Sequence, residues 1–240
     1  NLPADLPEIL LPSAPSPPSP TSTDIRTPSF VIRTHPHLPN PKTPENLPAT
    51  VHAIQKILEE VEQNAGREKK HSVFLLTSSY TATEQLHEML ITPLREVGYL
   101  LLTQGMSGGA QKIAQRFATA TIQTPPRPCF LVGTEKLWNA IIQSSGPAMP
   151  IPATPPPGRV AQTIKTLLLH RLPFRMPWHP VAKEQNAQNL RAFKEITLPS
   201  SVIRLKKILN DAAHHTGVET IHILDPRFEQ YDREFVKAIS

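Results

Sequence analysis

From residue 50 onward, hydrophobic positions follow two alternating patterns. Val51, Ile54, Ile57, Leu58 and Val61 recur at spacings of three and four, which lines one face of a helix ending near Gly66. Residues 72–77, SVFLLT, are an unbroken apolar run, as expected of a parallel strand buried on both faces. Leu86, Met89 and Leu90 return to the helical period. Thr83 is placed to cap that helix, Pro93 to kink or break it, and Gly98 to turn the chain out of it. Residues 99–103, 129–132 and 163–170 (YLLLT, CFLV and TIKTLLLH) read as three further strands. Between them fall a turn at Gly105 and Gly108–Gly109, a helix over 110–120 and a short helix over 135–143 containing Trp138.

The same alternation continues to the end. Residues 181–193 are polar and helical. Val202, Leu205, Leu209 and Ala212 line one face of the next helix, with Pro199 in its first turn and Gly217 placed to end it in a left-handed turn. Val218, Ile221, Ile223 and Leu224 make a fifth strand, stopped by Asp225, Pro226 and Arg227. A closing helix covers 229–239. Strand and helix repeated in this way imply a parallel sheet covered on both faces. Ligands of such sheets bind outside the C-terminal ends of the strands.

Composition changes the picture mainly at the start. Thirteen of the 28 prolines lie in the first fifty residues, so residues 1–49 read as a Pro-rich extended or mobile segment and 50–240 as the folded domain. Within the former, Phe30, Val31 and Ile32 suffice to pin a strand or loop onto a neighbour. His35 and His37 are spaced as metal ligands can be, but no third ligand sits nearby, and we read them as a solvated loop. The net charge is +5, and the folded part, with 22 Lys/Arg against 16 Asp/Glu, carries an excess of +6. That permits a polyanionic partner without requiring one. Cys129 is the single cysteine. This rules out an internal disulfide or a cysteine-built metal site, and its apolar surroundings suit a buried small side chain. No run reaches membrane-span length and no signal-peptide pattern opens the chain. The first residue is Asn. We therefore expect a piece of a longer, cytoplasmic protein.

Several chemistries are missing. No stretch matches G-x-x-x-x-G-K-[ST], and no strand ends in an acidic pair suited to magnesium. Gly105, Gly108 and Gly109 do not make a dinucleotide fingerprint, and neither G-x-S-x-G nor H-E-x-x-H occurs. His214 and His215 near a helix end read better as dipole partners than as catalysts. The residues alone do not name a reaction.

The order of short blocks adds to this. LLTSSY (75–80), LLTQG (101–105), VGTEKLWNAI (132–141), HRLPFRMPWHP (170–180), LPSSVIRLKK (198–207) and GVETIHILDPRF (217–228) occur in sequence at strand ends. Together with TPSF (27–30), this order resembles the second RecA-like domain of the DinG/XPD group of superfamily-two DNA helicases, over about residues 27–240. The resemblance implies a three-layer RecA-like parallel sheet with helices on both faces. It places Ser78, Ser79, Tyr80, Gln104 and Gly105 at the nucleic-acid backbone, where small hydroxyls and backbone N–H groups position a strand without reading its sequence. Capping of a turn by Ser78 and Ser79 accounts for those two residues equally well. The positions near nucleotide would be Gly133, Thr134, Lys206, Lys207, Asp211 and His214.

Two blocks depart from the resembled pattern. Where the group reads roughly GT-x-x-FWEG-VD, this chain keeps Gly133, Thr134 and Trp138 but has Asn139, Ala140, Ile141 and Ile142. Where the group carries two arginines that reach nucleotide phosphates, it has Asp211 and His214. An arginine finger is worth about 10³–10⁵ in turnover. An aspartate facing phosphate repels it. Lys206 and Lys207 offer point charges without the planar fork of arginine. We therefore expect a degenerate helicase-like domain that does not hydrolyse ATP and acts in nucleic-acid binding or as a scaffold. The alternatives are the second motor domain of an active ATP-dependent helicase and an unrelated α/β interaction domain. ATP and magnesium are expected only in company with a first RecA-like domain. The partners implied are single-stranded or forked DNA, that first domain or another protein, and no membrane.

Overall fold

The structure, a computed structural model, describes residues 24–26, 30–65, 71–123, 127–145, 164–174, 184, 187 and 192–239. The strands are β1 (Asp24–Arg26), β2 (Val31–Thr34), β3 (Ser72–Leu76), β4 (Leu100–Thr103), β5 (Cys129–Gly133), β6 (Ile164–Leu169) and β7 (Thr220–Ile223). They form one sheet in the order β1-β2-β7-β6-β3-β5-β4. Six strands are parallel, and β1 is antiparallel on the edge. Part of the proline-rich segment thus enters the sheet: Phe30, Ile32 and Leu38 are buried, and β2 pairs with β7. The low-complexity start, the 146–163 insertion and most of the helix expected over 181–193 lie outside the described residues.

The helices are α1 (Asn46–Ala65), α2 (Tyr80–Glu96), α3 (Ala110–Ile122), α4 (Glu135–Ser145), α5 (Leu198–Asp211) and α6 (Asp232–Ile239). Alternating side chains of each strand reach opposite layers. Phe74 and Leu76 pack with α3, α4, α5 and α6, while Val73 and Leu75 pack with α1 and α2. The result is the three-layer α/β arrangement expected of a RecA-like fold. None of the described helices is long and apolar enough to cross a membrane.

Local details differ from the expectation at informative places. α1 starts at Asn46, with Pro48 in the first turn, where the missing N–H has no helical acceptor to lose. Ser79, not Thr83, caps α2: its hydroxyl accepts from the Ala82 N–H at 3.2 Å. Thr83 is buried and donates to the Ser79 carbonyl at 2.9 Å. Pro93 lies inside α2 without ending it, held by the fully buried Leu90 and Leu94 on either side. α5 continues at both ends into π-helical turns, Phe193–Thr197 and Ala212–Thr216. In the first, the wider spacing lets the Leu198 N–H reach back to the Phe193 carbonyl, and Pro199 follows in the first turn of α5. Gly217 ends the second in the left-handed region, φ 69°. Cys129 is fully buried, and burial pushes its thiol up to about 12.

Candidate functional site

The strand order sets the C-terminal ends of β3, β5 and β4 side by side. The ladder runs one residue past β3 and β4, both onto β5. The Thr77 N–H donates to the Gly133 carbonyl at 2.8 Å, and the Gln104 N–H to the Val132 carbonyl at 2.9 Å. This carries Gln104 in line with β4, where its side chain is buried, 3% exposed. Its Oε1 accepts from the Thr134 N–H at 2.8 Å and from the Thr134 hydroxyl at 3.0 Å. Its Nε2 donates to the Tyr80 hydroxyl at 3.1 Å. Gly133 is required beneath it. A Cβ there would lie 2.6 Å from Leu137 Cδ2 and 2.9 Å from Gln104 Oε1, well inside contact distance.

The loop after β4 is equally tight. Gly105 and Gly108 have φ of 92° and 127°, and the Gly105 N–H donates to the Gly108 carbonyl at 3.0 Å. The Ser107 N–H donates to the Thr103 carbonyl at 2.7 Å, and the Ser107 hydroxyl accepts from the Thr103 N–H at 3.1 Å. The His87 ring nitrogen bonds the buried Thr103 hydroxyl at 2.8 Å. Thr77 and Thr83 hydroxyls pair at 2.6 Å and secure the start of α2.

The five positions expected at a nucleic-acid backbone therefore sit on one edge, but they differ in what they offer. Ser79 Oγ is committed to capping, and the Gln104 amide to holding neighbours. Ser78 and Gly105 are exposed. Tyr80 and Met106 are each 50% exposed, an aromatic ring and a flexible thioether at the same edge.

The six expected nucleotide-proximal positions fall into two groups. Gly133 ends β5, and Thr134, held by Gln104, leads into α4. Lys206, Lys207, Asp211 and His214 lie on α5 and the π turn after it, which runs beside α4. Two polar ties join these helices. Arg204 meets Glu135 at 2.6 Å, and Lys207 Nζ donates to Asn139 Oδ1 at 3.2 Å and to Asp211 Oδ2 at 2.7 Å. Asp211, expected to confront phosphate, is thus neutralised by Lys207. Lys206 and His214 are exposed. Arg204, whose second nitrogen donates to the Pro173 carbonyl at 3.3 Å, carries no mark in the sequence. Its partners are 69 and 31 residues away, so spacing gives no signal for it.

The ends of β2, β6 and β7 hold a second polar cluster that the sequence does not disclose. His35 is not a solvated loop residue. Its Nε2 lies 3.0 Å from Nδ1 of buried His222, the rings stacked at 5.3 Å. Burial, then the charges of His37 and Arg33, hold His35 down to about 4. Burial, then His35 and Arg33, hold His222 down to about 3. His170 is buried with no hydrogen-bond partner on either nitrogen, and that burial, with Arg171 beside it, lowers it to about 3. Arg171 donates to the Asn46 side chain at 2.8 Å and the Pro41 carbonyl at 3.2 Å, fastening β6 to the start of α1. Asp225 accepts from Arg227 at 2.7 and 2.9 Å and from the Leu172 N–H at 2.9 Å. Burial pushes the Asp225 carboxyl up, but these bonds and the Arg227 charge hold it below its ordinary value. Among the described residues no group of three or more His, Cys, Asp or Glu is arranged to hold a metal ion.

No family model matches the chain. Over 181 residues it is 27% identical to the 3'-5' exonuclease DinG of Bacillus subtilis (strain 168), a match covering 72% of this chain and 17% of that protein. The likeness supports a relationship to DinG over that stretch, in line with the ordered blocks and the parallel sheet. The chain spans about a sixth of the length of that relative.

Proposed function

We propose that this chain is a degenerate helicase-like second RecA-like domain. It binds single-stranded nucleic acid at the C-terminal edge of the sheet and supplies no arginine finger for ATP hydrolysis. The observation that carries this reading is Lys207, which bridges Asn139 and Asp211. These are two of the positions where the resembled pattern expects coupling and phosphate-binding groups. A cation bonded within its own domain at 2.7 Å is withdrawn from a phosphate, and the aspartate beside it adds the wrong sign.

Binding, in contrast, has groups to work with. Ser78 and Tyr80 face outward beside the Gly105 turn. A hydroxyl bonds phosphate oxygen, and an aromatic ring stacks on a base whatever its identity. Gln104 orients Tyr80 by the 3.1 Å bond and so acts as a positioning residue. ATP and magnesium enter only with a first RecA-like domain that provides the phosphate loop. That domain, or a protein that replaces it, is the expected neighbour of the α4–α5 face. The relationship to DinG disfavours an unrelated interaction domain.

The test is DNA-stimulated ATP hydrolysis by the full-length protein, alongside a titration of single-stranded DNA at several salt concentrations. The expected result is no stimulated turnover and an affinity that falls with salt. Robust turnover abolished by Lys206→Ala or Lys207→Ala would establish an active motor instead. Lack of a salt-dependent response would leave a protein scaffold.

A further inference from the structure

We infer that the single-strand path does not end at the Tyr80–Gly105 edge but continues down the outer face of α3, where Lys112 and Arg116 take successive backbone phosphates. This deepens the nucleic-acid reading above and rests on it. α3, AQKIAQRFATATI, contains no Asp or Glu. Its inner side is spent on the core through Ile113, Ala114, Phe117 and Ala120. Its outer side exposes Gln111, Lys112, Gln115 and Arg116. Lys112 and Arg116 are one turn apart, about 6 Å along the helix axis, so both can serve one extended strand.

Both cations are braced against the loop that ends the proposed edge. The Lys112 stem packs on Gly108, where an added Cβ would lie 3.0 Å from Lys112 Cδ. Arg116 donates to the Ser107 carbonyl at 3.1 Å. A long side chain that buries its stem while presenting its charge to solvent loses less freedom on binding. Arg127, exposed ahead of β5, extends the same sign of charge toward the opposite edge of the sheet. The other helical layer has the reverse balance: α1 and α2 together carry six Glu against two Lys/Arg. A polyanion is therefore drawn to the α3 side and away from the α1–α2 side. Tyr80 and Met106 stand where the strand would enter, as stacking surfaces for bases.

The experiment compares the parent chain with Lys112→Ala/Arg116→Ala in binding dye-labelled single strands of roughly 4 and roughly 16 nucleotides, the span of common single-strand site sizes. Affinity for the short strand is expected to stay within about twofold, while affinity for the long strand drops at least about tenfold. The salt slope for the long strand should fall by about 1.4, or about 0.7 for each phosphate that is no longer neutralised. Tyr80→Ala, as a control, should weaken both lengths. Because both cations are exposed, the double variant should keep the parent's urea midpoint. If it binds the long strand with the parent's affinity and slope, the extension along α3 is wrong while the edge site stands. If the parent binds neither strand, the nucleic-acid reading and its extension both fail.

Discussion

Gln104 Oε1 accepts two hydrogen bonds from Thr134, one from its backbone N–H at 2.8 Å and one from its hydroxyl at 3.0 Å. The same amide donates to Tyr80. One buried side chain therefore joins the ends of β4 and β5 to the start of α2. Gln104→Leu keeps the bulk but leaves the Thr134 N–H without its acceptor. The expected loss is about 1–3 kcal/mol of stability, read as a lower urea midpoint, with a more mobile Tyr80 ring by NMR. Gly133→Ala should act on the same bonds by steric means, since its methyl meets Leu137 and Gln104. A cost of about 1–3 kcal/mol is expected. A neutral Gly133→Ala would mean that Gln104 can swing away without loss.

The Lys207–Asp211 pair should matter little for stability. It is an i,i+4 contact, and Lys207 is 53% exposed. A double-mutant cycle of Lys207→Ala and Asp211→Ala should give a coupling of about 0.3–0.5 kcal/mol. A coupling near zero would leave Lys207 available to another partner and remove the support the pair gives to the proposed loss of phosphate binding.

Stability should fall on mild acidification. His35, His170 and His222 are all held below the ordinary value, to about 4, 3 and 3. On lowering pH through 6.5, the unfolded chain takes up these protons first, so unfolding is favoured. The contribution is complete above 6.5 and drains away toward pH 4, at up to about 1.4 kcal/mol per pH unit for each group. Denaturant titrations at pH 7.5 and 5 would measure this. His35→Asn/His222→Asn should flatten part of the slope, and an unchanged slope would exonerate the pair.

Asp225 is the charged group whose loss should cost most. It is 1% exposed and bonds Arg227 twice through side-chain atoms and the Leu172 N–H once. Asp225→Ala leaves Arg227 beside an unpaired Leu172 N–H, with an expected loss of about 3–5 kcal/mol. Its folded-state value is depressed, so its contribution is present above the ordinary carboxylate range and disappears as pH falls through the lowered value. A thermal melt of Asp225→Asn that matches the parent would show the ion pair to be dispensable.

Gly217 at φ 69° should tolerate alanine at a cost of about 1 kcal/mol, measurable as a small downward shift in Tm.

The fold was readable because burial on both faces writes itself into local composition. Runs such as SVFLL and CFLV are apolar without alternation, and the helices between them keep a 3.6-residue period. Stop residues were equally direct: Gly98 and Gly217 adopt the positive φ that their positions demanded. Capping was less so, because Ser79 and Thr83 both fit a cap by type. Which one offered its oxygen depended on where Thr77 placed Thr83.

The candidate edge was half legible. Sequence alone determined the parallel α/β architecture, the helix faces, the lack of a G-x-x-x-x-G-K-[ST] stretch in these 240 residues, and the presence of Asp211 and His214 on the helix before Gly217. Tertiary structure decided which polar groups are already spent. Gln104 meets Tyr80 and Thr134 across gaps of 24 and 30 residues, Lys207 meets Asn139 across 68, and His35 meets His222 across 187. Hydrophobic periodicity is a local signal, repeated every few residues and therefore redundant. A buried hydrogen bond is a single pairing between distant positions, set by strand order and register, and no local pattern encodes it.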